Sequence, residues 1–169
     1  MKGYIHVYTG DGKGKTSAAL GIAVRALGRG MRVCIVQFMK GMESGEHLFF
    51  KNVPGIVIKR FGSGEFVKEA TPDDKALAYE ALRYAITQMN SGDFDVLILD
   101  EINVAMSMHL LSVNDVRKML EKKPENIEIV LTGRNAPAEI IEIADVVTEM
   151  RELKHYYRKG VEAREGIEY

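Results

Sequence analysis

A mostly parallel α/β sheet flanked by helices is the fold class this sequence predicts, on three observations. Short apolar runs alternate with longer helical patterns along the chain, the arrangement in which crossover helices bring parallel strands side by side. Two of those runs, RVCIVQF (32–38) and DVLILD (95–100), are continuous rather than alternating, as suits strands covered on both faces. The first apolar run leads straight into a glycine-rich turn and a helix, through the stretch TGDGKGKTS (9–17).

The elements follow in order. YIHVY (4–8) predicts a strand, and 16–27 a helix with Ala19, Leu20, Ala23, Val24 and Leu27 as its apolar stripe, ended by Gly28 and Gly30. After the second strand comes a glycine-bearing loop, KGMESGEH (40–47), and then a third strand, IVIKRF (56–61). TPDD (71–74) marks a helix start, with Thr71 as cap, Pro72 in the first turn and Asp74 closing a box; the helix should run to about Met89. DVLILD is the fourth strand. SVND (112–115) repeats the capping pattern before a helix to about Lys122. IEIVLTG (127–133) predicts a strand, PAEIIEIA a short helix, and DVVTEM (145–150) a last central strand. The organisation expected is one domain over 1–169 with a charged, aromatic tail from about 151.

Composition narrows the function classes. The 169 residues carry a formal net charge of −1, which gives no global electrostatic footprint for nucleic acid or an anionic membrane. There is no run of about 18 apolar residues to span a bilayer, and the start of the sequence is too polar for a secretory leader, so a cytoplasmic location is expected. The one cysteine, Cys34, lies in an apolar run and predicts core packing rather than a disulfide or a multi-cysteine metal site.

Three strand ends carry the chemistry. In the loop, Gly10, Gly12 and Gly14 let backbone N–H groups face one concavity beside a helix N-terminus, the arrangement that binds phosphate. Lys15 would add positive charge to the outer phosphates, Lys13 a second charge, and the Thr16 hydroxyl a ligand for Mg²⁺. The spacing departs from G-x-x-x-x-G-K-[ST] because Thr9 stands where the first glycine belongs. VLILDE ends in Asp100 and Glu101, carboxylates at the sheet edge where open α/β folds bind ligands and hold Mg²⁺; spacing does not say which touches the metal. LTGRN (131–135) brings Arg134 to the same edge, either against phosphate oxygens or as a surface arginine. Arg25, nearly three turns along the first helix, reads as part of a solvated face. Together these features predict a P-loop NTPase fold of the RecA-like kind. The four histidines show no metal-ligand spacing and no G-x-S-x-G elbow is present, so the chain supplies no nucleophile of its own.

Taken together, VYTGDGKGKTSAALGIAVRALGRG, RVCIVQFMKG followed by GE (45–46), LILDEINVA, IVLTGRNAP, and ADVVTEMRELKH with a final GIEY resemble the P-loop ATP:corrinoid adenosyltransferases, in the family's order and over most of the chain. The resemblance implies transfer of the 5′-deoxyadenosyl group of ATP to the Co(I) of a reduced corrinoid, with triphosphate leaving. It implies a loop (Thr9, Gly10, Asp11, Gly12, Lys13, Gly14, Lys15, Thr16, Ser17) around the triphosphate, Arg25 and Arg134 as phosphate ligands, and Mg²⁺ held by Thr16 with Glu101 or Asp100. It implies a catalytic set of Lys15, Thr16, Glu101 and Arg134, a homodimer, and a reductase or flavoprotein as electron donor. Where the family carries Gly-Phe-Thr-Trp, this chain reads Gly64-Glu65-Phe66-Val67 and has no tryptophan, which leaves Phe66 and Phe61 as the apolar wall for the corrinoid. The other readings of the same motifs are a P-loop ATPase or kinase, in which Glu101 would position the attacking group, and a non-catalytic nucleotide-binding regulator.

Overall fold

A computed structural model of the chain describes residues 2–63 and 70–169. Its centre is a six-stranded sheet in the order β3-β2-β4-β5-β1-β6, with every neighbouring pair parallel. The strands are β1 (Ile5–Thr9), β2 (Val33–Phe38), β3 (Ile56–Phe61), β4 (Val96–Asp100), β5 (Glu128–Thr132) and β6 (Val146–Glu149). The helices are α1 (Lys15–Leu27), α2 (Gly45–Phe50), α3 (Pro72–Asn90), α4 (Ile102–Ser107), α5 (Val113–Glu121) and α6 (Ala138–Ile143). Every residue of β2 and β4 is buried, as their unbroken apolar runs require.

Each face of the sheet has its own core. On one, Ala19, Ala23 and Ala26 of α1 lie on Ile35, Ile98 and Val130, small side chains that let the helix approach the strands closely. On the other, Ala81 and Leu82 of α3, Val116 and Met119 of α5 and Ile140 of α6 cover Val36, Leu97, Leu99 and Ile129. The α1 stripe is therefore rotated from the expected one, with Val24 turned outward at 54 % exposure. Among the described residues no helix is long and apolar enough to cross a membrane.

Three local expectations are corrected. DVVTEM is an edge strand, not a central one: among the described residues β6 pairs only with β1, and all four of its residues are exposed. Ser112 precedes α5 without a side-chain cap, whereas Thr71 and Asp74 form the full reciprocal box at α3. The loop expected over 40–47 turns into α2, whose start is boxed by Ser44 and His47.

Candidate active site

All parallel strands end on the same edge, and the loop after β1, the end of β4 and the turn after β5 meet there around a cavity of about 630 Å³. Thr9 closes β1 in strand conformation, and its hydroxyl accepts the Ala136 N–H at 3.1 Å, tying the loop to the segment after β5. The turn begins one residue later, at Gly10 (φ 93°), where a Cβ would come within 2.4 Å of the Met150 carbonyl oxygen. Gly12 is confined as well: a Cβ there would come within 2.8 Å of the same oxygen, to which its own N–H donates at 2.7 Å. The shifted glycine phase thus matches the chain leaving β6, which packs against the loop.

Lys15 opens α1 and is buried, its Nζ donating to the loop carbonyls of Gly10 (2.7 Å) and Gly12 (2.8 Å). Burial lowers its pKa, the Arg134 charge lowers it further, and Glu101 and Asp11 work the other way. Thr16 Oγ1 donates to Asp100 Oδ1 at 2.9 Å. Thr132 Oγ1 donates to the same oxygen at 2.7 Å, and Gln37 Nε2 to Oδ2 at 3.1 Å, so both oxygens of this buried carboxylate are satisfied.

Asp100 and Glu101 diverge because the chain bends sharply between them. Glu101 adopts the left-handed conformation (φ 64°), rare for a residue with a Cβ, and is held there by its N–H donating to Thr132 Oγ1 at 2.9 Å. Its carboxyl lines the cavity. Burial first, and then the Asp100 charge, push its pKa up to about 7 against the pull of Lys15, Arg134 and Lys40. Arg134 crosses the loop tip, its Nη2 donating to the Asp11 carbonyl at 3.4 Å and its Nε 3.6 Å from the Asp11 carboxylate.

Asp11, Gly12, Lys13, Lys15, Thr16, Asp100, Glu101 and Arg134 therefore share one cavity. Ser17 and Arg25 are exposed on α1 and lie outside its lining. Phe61 is packed in the core against Tyr84 (ring centroids 5.7 Å apart) instead of forming a wall. Phe66 falls outside the described residues. Sequence reasoning missed His155, which lines the cavity from the tail, and Thr132, whose place at a strand end beside β4 was the available signal. Lys13 is turned to the tail as well, with Nζ donating to Tyr156 Oη at 2.9 Å and ion-paired with Glu168.

A glycine loop between strand and helix, a threonine hydroxyl on an acidic strand end and an arginine over the loop define a P-loop nucleotide-binding protein. The fold agrees with the solved KaiC-like protein of the hyperthermophilic archaeon Pyrococcus horikoshii, which matches at TM-score 0.58 and 20 % identity over 91 % of this chain and 75 % of that one. The family model for ATP:corrinoid adenosyltransferase BtuR/CobO/CobP matches residues 1–169, and the chain belongs to that family, whose members are alkyl-group transferases using ATP and a corrinoid. Curated corrinoid adenosyltransferases are similar over nearly its whole length. That of a Sinorhizobium species is 39 % identical over 99 % of this chain and 81 % of its own. Those of Pseudomonas aeruginosa and Escherichia coli are 38 % and 33 % identical, again over 99 % of this chain and over 84 % and 86 % of theirs.

Proposed function

We propose that this cavity binds ATP with its triphosphate in the 9–17 loop and presents the ribose C5′ to the Co(I) of a reduced corrinoid. The observation that carries the assignment is the convergence of Lys15, Thr16, Asp100, Glu101 and Arg134 on one cavity. The attacking atom belongs to the substrate: the cobalt lone pair forms the Co–C5′ bond while the C5′–O bond breaks and its electron pair leaves with triphosphate. The protein then has two tasks, to align C5′ with cobalt and to stabilise the departing charge. Lys15 exchanges its loop carbonyls for phosphate oxygens, backbone N–H groups of the loop supply further donors, and Arg134 swings from Asp11 to the triphosphate. Arg25 reaches phosphate only if α1 or its surroundings rearrange, so it ranks below Arg134. Cys34 is no competing nucleophile, since it is fully buried and burial pushes its thiol up to about 12.

The donor set fits Mg²⁺, which prefers oxygen ligands and takes only one or two carboxylates when phosphates complete its shell. Thr16 and Glu101 would hold it, with Asp100 orienting the threonine hydroxyl, and the ion would supply positive charge to the leaving triphosphate. In this proposal the electrons that make Co(I) come from a reductase or flavoprotein, and the cytoplasm, which supplies ATP, is the place of action. We propose further that the chain is a single domain over 1–169, with its tail from about 151, and works as a homodimer; the exposed Val146 and Val147 on edge strand β6 support a protein contact there. The test is to supply ATP, Mg²⁺ and chemically reduced cobalamin. Adenosylcobalamin and triphosphate should form in equal amounts, and ADP with phosphate and no cobalt–carbon bond would reject the assignment in favour of a phosphoryl-transfer enzyme.

A further inference from the structure

Behind Asp100 runs a line of buried and half-buried polar groups that the proposed adenosyl transfer does not use. Gln37 sits on β2 in register with Asp100 and is 1 % exposed. An amide this deep has to satisfy its carbonyl and both N–H groups, so its neighbours decide which way it faces. The Ser44 backbone N–H donates to His47 Nδ1 at 2.9 Å, and the Ser44 hydroxyl and carbonyl oxygens lie 3.1 and 3.2 Å from the same nitrogen; the tautomer that accepts the N–H carries its ring proton on Nε2. Nε2 then donates to Gln37 Oε1 at 2.5 Å. With its oxygen held, the amide nitrogen points at two carboxylates, Asp100 Oδ2 (3.1 Å) and Glu46 Oε1 (3.2 Å), and gives each one hydrogen. The flipped amide would set an oxygen against both carboxylates and an NH₂ against the imidazole N–H. Glu46 is also paired with Lys40 at 2.6 Å, and Lys40 lines the cavity.

We propose that Gln37 is a positioning residue: oriented by His47, its amide fixes the Asp100 carboxylate and couples the 40–47 segment to the phosphate end of the ATP site. Sequence separation hides this, since Gln37 and Asp100 are 63 residues apart. Gln37 touches neither nucleotide nor cobalt in this account. It acts by keeping Asp100 turned to Thr16, as outer partners of metal-site carboxylates do elsewhere, where their loss costs about 10- to 100-fold in metal affinity or activity. The inference rests on the reading that Asp100 serves the triphosphate end of the site.

The experiment compares Gln37→Leu, His47→Leu, His47→Gln and Asp100→Asn in the full chain. It measures ATP binding by calorimetry across a Mg²⁺ titration, thermal melting without nucleotide, and adenosyl transfer. Gln37→Leu should raise the Mg²⁺ needed for half-maximal ATP binding by about tenfold. His47→Leu, which frees the amide to flip, should move it the same way by a smaller factor, and His47→Gln, which keeps a donor to Oε1, should restore it. His47 is only half-buried, so the His47 pair decides the matter even where Gln37→Leu fails to fold. A Mg²⁺ dependence that stays at wild type in His47→Leu, and in Gln37→Leu where it folds, while the melting temperature falls, would overturn the inference. A wild-type Mg²⁺ dependence in Asp100→Asn would instead overturn the reading of the site on which it stands.

Discussion

Thr16 and Asp100, 84 residues apart in the chain, meet at 2.9 Å, the threonine hydroxyl donating to the carboxylate. The hydroxyl has two duties, since in the proposed complex it also faces the metal. Thr16→Ser keeps both and should retain near wild-type transfer. Thr16→Ala removes both, yet Asp100 keeps its bonds from Thr132 and Gln37, so the fold should survive. The expected result is a fall in kcat of about 10- to 100-fold with little change in melting temperature. Steady-state kinetics at saturating Mg²⁺ check this, and wild-type kcat in the alanine variant would remove the hydroxyl from the mechanism.

Lys15 holds the loop shut on itself through the Gly10 and Gly12 carbonyls. Among the described residues its ammonium has the two loop carbonyls as hydrogen-bond partners, and burial disfavours its charge, so in the proposed complex it would gain by passing to phosphate oxygens. Lys15→Ala should lower the rate of adenosylcobalamin formation by at least about 100-fold, the scale on which single donors to a developing anion act. Single-turnover measurements with preformed Co(I) separate this from slow cobalt reduction, and near-normal turnover would exclude the lysine.

Lys13 is engaged from outside the loop, by Tyr156 and by Glu168, whose carboxyl is held well below its usual range first by Lys13, then by Tyr156 and by Arg164. Arg164 also lies over the Tyr156 ring, 4.7 Å from its centroid, so the tail folds into a small cluster on the loop. In the proposed complex a triphosphate would compete with the Glu168 carboxylate for the Lys13 ammonium. Glu168→Gln should therefore tighten ATP binding by about two- to fivefold, the range of an exposed ion pair, and speed hydrogen exchange in 155–168. Unchanged ATP affinity with unchanged exchange would show that the contact does not restrain Lys13.

What could be read in the sequence was local or periodic. The strand–loop–helix around Gly14, the box at Thr71 and the buried runs of β2 and β4 are each written in consecutive residues, and all are found. The helices α2 and α4 were missed although α6, also of six residues, was read from PAEIIEIA: α2 begins inside a stretch whose glycines read as a loop, and α4 follows the apolar run of β4 with only Glu101 between them. The edge position of β6 was missed because an apolar strand looks alike at the centre and the rim until its neighbours are known. In the site, residue types at strand ends pointed to Lys15, Thr16, Glu101 and Arg134. The His47–Gln37–Asp100 line and the Lys13–Glu168 pair were illegible because they depend on which distant segments the fold brings together. Thr9 looked anomalous only while the loop was compared with a spacing pattern; in place, its hydroxyl bonds Ala136 and the first turn glycine is Gly10.

Glu101 carries the clearest trade of stability against function. Its folded pKa, about 7, lies above the ordinary value of 4.5. Between those two values the folded protein binds a proton that the unfolded chain has lost, so the number bound unfolded minus folded is negative. Stability of the nucleotide-free protein then falls as pH rises from about 4.5 to about 7 and levels off above. A displacement of that size corresponds to at most about 3 kcal/mol. Glu101→Gln cannot ionise and escapes the loss, so it should exceed wild type in stability by a margin that grows across this window and is constant beyond it. Urea denaturation at pH 5 and pH 8 measures the two margins, and equal margins would mean that the carboxyl titrates at its ordinary value. The same variant should lose most adenosyl transfer, since the amide brings no charge to the metal end of the site. A variant both more stable and less active at pH 8 is what a carboxylate kept in a left-handed turn, beside a second carboxylate, is expected to leave behind.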